Sequence, residues 1–241
     1  MSSENTVLSL HAVSLRRGDR SLFRALSLTL SEARVGIIGF NGSGKSSFLR
    51  LLNGLLLPDT GDVTVLGMNT RKDRKALPRH VGMVFQNPDH QIIFPTVEEE
   101  LAFGLKQFGE TQAAANRSAR ACLSDHGCAD WADRPTSSLS EGQKQLVCLM
   151  ASTLTKPRIL LCDEPFSGLD PALRMHFRAR LRDAAECVCL VSHDMDDLRE
   201  MDRVIWFDKG AVAGDGAPDE VLREYALAAQ TRARTLSVAE L

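Results

Sequence analysis

Apolar and polar positions along the chain fall into an opening β-rich stretch, a strand-loop-helix unit, a helical middle and a second group of buried strands. Apolar residues alternate with polar ones from Val7 to Leu15 and again at Leu26, Leu28 and Leu30, which predicts two half-buried strands joined by a turn at Arg17 to Arg20. A β-branched run, Val35 to Ile38, stops at Gly39. After a glycine-rich turn, apolar residues recur at helical spacing from Ser46 to Leu57. Continuous apolar runs follow at Val81 to Phe85, Ile159 to Cys162, Val188 to Val191 and Val204 to Phe207, separated by helical patterns. Runs of that kind suit strands covered on both faces, so the expectation is a mainly parallel sheet flanked by helices.

Between these strands the sequence from 88 to 138 turns Ala-rich and helical, and Thr96 with Glu99 forms a capping-box pattern that opens a helix through Glu100 to Gln107. The organisation expected is one domain over 1–241: a core of 1–87 and 139–227, an inserted helical subdomain over 88–138, and a loosely held tail over 228–241. The length and the 44% hydrophobic content support a substantial core in such a unit.

Net charge is −2, with no long block of Lys and Arg, so no field over the whole chain draws it to nucleic acid or anionic lipid. No nucleic-acid partner is expected. The opening MSSENTVLSL does not read as a secretory signal, and the best apolar stretch, near Leu49 to Leu57, is interrupted by Arg50 and Asn53 and falls short of a bilayer span. Cys122, Cys128, Cys148, Cys162, Cys187 and Cys189 show no CxxC spacing, which points to free, buried thiols in a reducing compartment.

The segment GFNGSGKSS at Gly39 to Ser47 matches the GxxxxGK[ST] spacing of a phosphate loop. Glycines at 39, 42 and 44 let successive N–H groups turn inward onto phosphate oxygens. Lys45 reaches the β- and γ-phosphates, the Ser46 hydroxyl suits Mg2+, and the following helix presents its positive end to the same anion. Downstream, ILLCDE ends an apolar strand in two adjacent carboxylates. Asp163 is suited to hold Mg2+, and Glu164 to orient or deprotonate a water. LSEGQ at Leu139 to Gln143 has the Ser-x-x-Gln spacing of a capping box. Gln86 and His193 each follow an apolar run, which places them at strand ends. Taken singly, most of these would be a turn, a cap or a polar loop residue. Their order is what makes them specific.

With these motifs in sequence, the chain resembles the nucleotide-binding subunits of ATP-binding cassette (ABC) transporters over nearly its whole length. The resemblance implies an α/β fold with a RecA-like P-loop NTPase core, an N-terminal antiparallel β layer and an inserted α-helical subdomain. It implies that Gly39, Phe40, Asn41, Gly42, Ser43, Gly44, Lys45, Ser46 and Ser47 bind ATP, and that Gln86 senses the γ-phosphate and contacts Mg2+. Glu164 is then the catalytic carboxylate and His193 the switch histidine. Ser140, Glu141, Gly142, Gln143 and Asp170 reach the nucleotide of a second ATPase subunit in a head-to-tail homodimer or heterodimer. The partners implied are integral membrane subunits, with this chain peripheral on the cytoplasmic face of the membrane.

Two departures stand out. Glu141 replaces a glycine common in the family signature, and Arg17 sits where the family places an aromatic against adenine. A guanidinium can stack on a base, Phe23 is a substitute, and a solvated turn arginine is an equal reading of Arg17. Within the family, FQNPDHQIIFPTVEEELAFGL resembles the ATPases of energy-coupling-factor importers, with biotin the first solute implied and cobalt or nickel the second. The membrane subunits are expected to dock near Glu98 to Glu100. The alternative is a non-transport cassette ATPase acting on DNA or ribosomes. The stretch between Lys45 and Ser140 is too short for the long coiled coil of the DNA-repair relatives, and ribosome-associated relatives usually carry two cassettes.

Overall fold

The structure, a computed structural model, describes residues 8–18 and 20–235. Val7 of the opening strand, Asp19 of the expected turn and residues 236–241 of the tail lie outside the described residues. In chain order the elements are β1 (Leu8–Arg17), β2 (Arg20–Leu30), β3 (Arg34–Gly39), α1 (Lys45–Leu52), β4 (Thr60–Val65), β5 (Met68–Asn69) and β6 (Val81–Val84). There follow α2 (Val97–Gln107), α3 (Gln112–Asp125), α4 (Glu141–Leu154), β7 (Ile159–Asp163), α5 (Pro171–Leu181) and β8 (Cys187–Val191). The chain continues through α6 (Met195–Leu198), β9 (Arg203–Asp208), β10 (Ala211–Gly216) and α7 (Pro218–Thr235).

Two compact units result, one of residues 1–72 with 189–241 and the other of residues 73–188. In the first, β2, β1, β4 and β5 form an antiparallel sheet in that order. Leu8, Leu10, Val13 and Leu15 are its buried β1 positions, and the step from Leu10 to Val13 breaks the alternation. A bulge is the cause: Ala12 takes φ 47° and donates its N–H to Ser27 Oγ at 2.9 Å. In the same unit β3 pairs parallel with β9, from Val35 opposite Arg203 to Gly39 opposite Phe207, and β10 pairs antiparallel with β9. Phe23, Phe48 and Phe207 form the aromatic heart of its core, with the rings of Phe48 and Phe207 5.1 Å apart.

Helix α1 stops at Leu52, short of the expected Leu57. Asn53 accepts the Leu55 N–H on its Oδ1 at 2.9 Å and Gly54 follows with φ 73°, so the chain leaves the helix in a tight turn. Sequence reasoning also misses β4 and β10. TGDVTV and AVAGDG hold too few apolar residues to show a buried run, because each offers only part of one face to the core.

In the second unit β6 and β7 pair parallel, from Val81 opposite Ile159 to Val84 opposite Cys162, and every β7 residue is buried. Helices α2, α3 and α4 pack around Leu101, Ala102, Ala119 and Leu123, all 0% exposed except where α4 contributes Leu146, at 5%. Thr96 caps α2 through the Glu99 N–H, but the return bond runs from the Thr96 hydroxyl to the Glu99 carboxylate at 2.7 Å instead of to the backbone. None of the six cysteines is in a disulfide, and burial pushes the Cys148 thiol up to about 12 and Cys122 to about 11. Burial keeps these two in the thiol form.

Candidate active site

In the first unit the phosphate loop leaves β3 at Gly39. A side chain there would put its Cβ 2.2 Å from the Phe207 carbonyl oxygen, and the φ of 155° is itself unfavourable to one. Gly44, at φ 112°, lies equally tight on the Phe23 ring, 2.8 Å from where its Cβ would stand. The loop is held from outside by Gly210 on the β9-β10 turn, whose N–H donates to the Ser43 carbonyl at 3.1 Å. Nothing in the local sequence announces that anchor.

Inside the loop Lys45 is 6% exposed, and its Nζ donates to the carbonyls of Gly39 at 2.7 Å and Phe40 at 3.2 Å. Ser43 Oγ is buried and has no hydrogen-bond partner. A buried orphan hydroxyl costs about 1–3 kcal/mol, so a ligand oxygen at this position would relieve a standing penalty. No side chain caps the first turn of α1, which leaves its N–H groups for an anion. Asn41 and Gly42 are exposed, Phe40 and Ser46 half-buried, and Ser47 buried.

His193 also belongs to this unit, just past β8, and is exposed. Its neighbour Ser192 is fixed by its N–H to the Ile37 carbonyl at 3.3 Å, by its hydroxyl to Asp197 Oδ2 at 2.6 Å, and by accepting the Asp194 N–H at 3.0 Å. Position 193 is therefore set by its flanks. Phe23 is only 1% exposed and cannot offer a face to a base, since the Gly44 backbone already covers its ring. Arg17 is exposed at the end of β1, directly opposite Arg20 in the β1-β2 pair.

The second unit gathers the other candidates. Strand β7 ends in Asp163, 2% exposed, and Glu164 follows in the left-handed region at φ 50°. A non-glycine residue there carries strain that surrounding structure must hold, a feature concentrated at functional positions. Gln86 is exposed and donates Nε2 to Glu164 Oε2 at 3.3 Å. Two residues missed in the sequence position it. Gln145 Nε2 donates to the Phe85 carbonyl at 3.0 Å, and Gln91 Oε1 accepts the Phe85 N–H at 3.0 Å. The available signal for Gln145 is a polar residue on the otherwise apolar face of α4.

At the start of α4 the full capping box forms. Ser140 Oγ accepts the Gln143 N–H at 3.3 Å, and Gln143 Oε1 accepts the Ser140 N–H at 3.0 Å. The box leaves the N–H groups of Glu141 and Gly142 at the positive end of the helix. Gly142 is pressed against the Ser167–Leu169 turn; a Cβ on it would stand 3.1 Å from the Gly168 carbonyl oxygen. Asp170 caps α5, accepting the Ala172 and Leu173 N–H groups at 2.9 and 3.0 Å. Gln86 with Glu164, and the signature with the 167–170 turn, are thus the pairs this unit brings together.

Two acidic residues of the expected docking region face inward. Glu98 and Glu100 are 8% and 6% exposed and serve the interior: Glu98 pairs with Arg120, while Glu100 accepts the N–H groups of Ile93 and Phe94, both at 2.9 Å. What faces outward is an open cavity of about 350 Å³ lined by Asp89, Ile92, Ile93, Pro95, Ser137 and Lys144. Ile93, 67% exposed, stands at its lip.

Comparison with known proteins decides the family. The ABC transporter family model matches residues 23–167, and the biotin transport ATP-binding protein BioM of Rhodobacter capsulatus is 46% identical over 92% of this chain and 95% of its own. The chain belongs to the ABC transporter family. The cobalt import ATP-binding protein CbiO of Syntrophus aciditrophicus is 36% identical over 86% of this chain and 76% of its own. Among solved structures, CbiO1 of Clostridium perfringens, described as part of the ABC transporter complex CbiONQ, superposes with a TM-score of 0.78 at 26% identity over 96% of both chains.

This ABC protein is accordingly an ATP-binding ATPase with the mixed α/β P-loop fold, an antiparallel sheet and a helical subdomain. No described helix is long and apolar enough to cross a membrane. Ser46 in the first unit, and Gln86 and buried Asp163 in the second, carry hydroxyl, amide and carboxylate oxygens of the kind a hard cation takes, while no cluster of three or more His, Cys, Asp or Glu among the described residues could hold a metal alone.

Proposed function

We propose that this ATPase drives a membrane importer of the energy-coupling-factor type, with biotin as the first solute and cobalt or nickel as the second. The observation that carries the ATPase half is the loop interior, where buried Lys45 and the orphan Ser43 hydroxyl await an anionic ligand. The solute rests on likeness to relatives named for biotin and cobalt transport.

In this reading the amides of residues 39–47 and Lys45 would hold the phosphates of ATP, and Ser46, Gln86 and Asp163 would hold Mg2+. The bound ion would neutralise charge on the β- and γ-phosphate oxygens. Glu164 accepts a proton from the attacking water, its carboxylate aimed by the Gln86 amide. The water oxygen bonds to the γ-phosphorus as the bond to the β-phosphate oxygen breaks, releasing ADP and phosphate. His193 lies past β8 to contact the γ-phosphate.

The second ATPase subunit, a copy or a paralogue, would receive Ser140, Glu141, Gly142, Gln143 and Asp170 over its own nucleotide. The support is the pair of N–H groups that the capping box leaves at the start of α4. Glu141 adds a negative charge beside that anion site and tunes its affinity downward. The Glu164→Gln variant should dimerise with saturating MgATP and return to monomer without it, as read by light scattering. A strict monomer in both conditions would remove the dimer from the scheme.

For the membrane partner, the cavity beside Ile93 offers an apolar lip with Asp89 and Lys144 next to it. Ile93→Asp should cut co-purification with integral membrane subunits by about tenfold while leaving the ATPase folded, since Ile93 buries little. Recovery of ribosomes or DNA instead of membrane subunits would favour the non-transport alternative. With partners in hand, uptake of labelled biotin and of cobalt separates the two solutes.

A further inference from the structure

Besides the cavity at Ile93, the second unit holds another that none of the nucleotide motifs lines. It has a volume of about 280 Å³ and opens between α4 and α5, where His126, just past the end of α3, closes one side. Its floor is apolar. Leu149 and Met150 come from α4, Phe177 and Leu181 from α5, and all four are buried. Small-molecule sites usually measure about 300–1,000 Å³, so a cavity at the lower edge of that range suits a ligand of amino-acid size.

The polar groups around the floor divide into spent and unspent ones. His126 lies nearly parallel to the Phe177 ring, centroids 5.9 Å apart, and its Nδ1 donates to the Cys122 carbonyl at 2.7 Å. Burial holds its pKa below the ordinary histidine value, so at neutral pH it adds a flat wall and no charge. The Thr153 hydroxyl is turned back to the Leu149 carbonyl, to which it donates at 2.9 Å. Arg180 and Asp183 differ. Arg180 donates Nη2 to the Asp125 carbonyl at 3.0 Å, which anchors the guanidinium and leaves its other N–H groups. Both residues are exposed where α5 ends, and neither makes an ion pair among the described residues. A cation and an anion thus stand over one apolar floor without pairing to each other.

We propose that this cavity binds a free α-amino acid with an apolar side chain. The carboxylate of the ligand meets the Arg180 guanidinium, whose planar fork matches it, and the ammonium meets the Asp183 carboxylate. The side chain fills the space over Leu149, Met150, Phe177 and Leu181. A fatty acid or an amine would answer only one of the two charges and leave the other facing its apolar body. The proposal is independent of the solute and of the nucleotide site. The helices that bracket the cavity start at the Ser140 cap and at Asp170, so an occupant held by both ties α4 and α5 together at their far ends.

Calorimetric titration of the full chain with L-phenylalanine tests this, beside hydrocinnamate, which lacks the ammonium, and phenethylamine, which lacks the carboxylate. L-Phenylalanine should bind with a Kd of about 0.1–1 mM, and each singly charged analogue at least about tenfold more weakly. Arg180→Gln should weaken L-phenylalanine by about tenfold and leave phenethylamine unchanged, while Asp183→Asn should weaken L-phenylalanine and leave hydrocinnamate unchanged. Ala184→Leu, which puts a larger side chain into the cavity, should remove binding of all three, with a thermal melt showing that each variant is folded. Absence of binding by L-phenylalanine, equal binding of the three probes, or an unchanged affinity in Arg180→Gln would each overturn the proposal. So would biotin binding more tightly than L-phenylalanine, which would make the cavity a carboxylate site instead.

Discussion

Replacing Glu164 by Gln is expected to lower steady-state ATP hydrolysis by about 10²- to 10³-fold while ATP binding stays within a few-fold of wild type. The substitution keeps the size of the side chain and an oxygen that accepts from Gln86 Nε2, now at 3.3 Å from Glu164 Oε2. It removes only the ability to take a proton. Glu164 also holds a left-handed backbone at φ 50°, and Gln tolerates that conformation no worse, so a fall in turnover would not reflect a changed main chain. The discriminating measurement is single-turnover hydrolysis with pre-bound MgATP. Hydrolysis at the wild-type rate would take the role of general base away from Glu164, and loss of binding would place the residue among the phosphate contacts instead.

Lys45→Met should weaken ATP binding by about 100-fold or more. Lys45 is 6% exposed and its ammonium is held by two carbonyls at the neck of the loop, so its charge acts on the phosphates with little screening by water. Met fills most of the volume but leaves the carbonyls of Gly39 and Phe40 without this donor, a cost of about 1–3 kcal/mol in stability. Calorimetric titration with ATP therefore needs a thermal melt beside it. A folded variant that binds within threefold of wild type would show that the loop amides and the α1 terminus alone hold the triphosphate. Lys45→Arg is the complementary control: it keeps the charge but cannot fit its planar fork into a cradle built around a single nitrogen.

The site was legible in uneven parts. Lys45, Ser140 and Gln143 are readable because their partners lie within six residues, and chemistry at that range is written in spacing alone. Gln86 and Glu164 could be named from their neighbours, but the amide-carboxylate contact joins residues far apart in the chain and follows from the pairing of β6 with β7. The burial of Glu98 and Glu100 was illegible for the same reason. In sequence they are an acidic stretch at the start of a helix; in the fold Arg120 and the N–H groups of Ile93 and Phe94 turn both inward. Phe23 failed as a base contact because its ring is needed beneath Gly44, which no local pattern shows.

By itself, the sequence determined where the buried strands β3, β6, β7, β8 and β9 lie, the phosphate loop and its companion motifs, and hence the family. These depend on periodicity, glycine placement and short-range capping, which act within a few residues. Only the tertiary structure decided which polar groups are spent on the interior and which remain for ligands. It placed Gly210 behind the loop, left Ser43 Oγ unsatisfied, turned Glu98 and Glu100 inward, left Ile93 on an open lip, and set Arg20 against Gly42. Burial and hydrogen-bond partnership are properties of neighbours in space, and here most of those neighbours come from strands and turns remote in the chain.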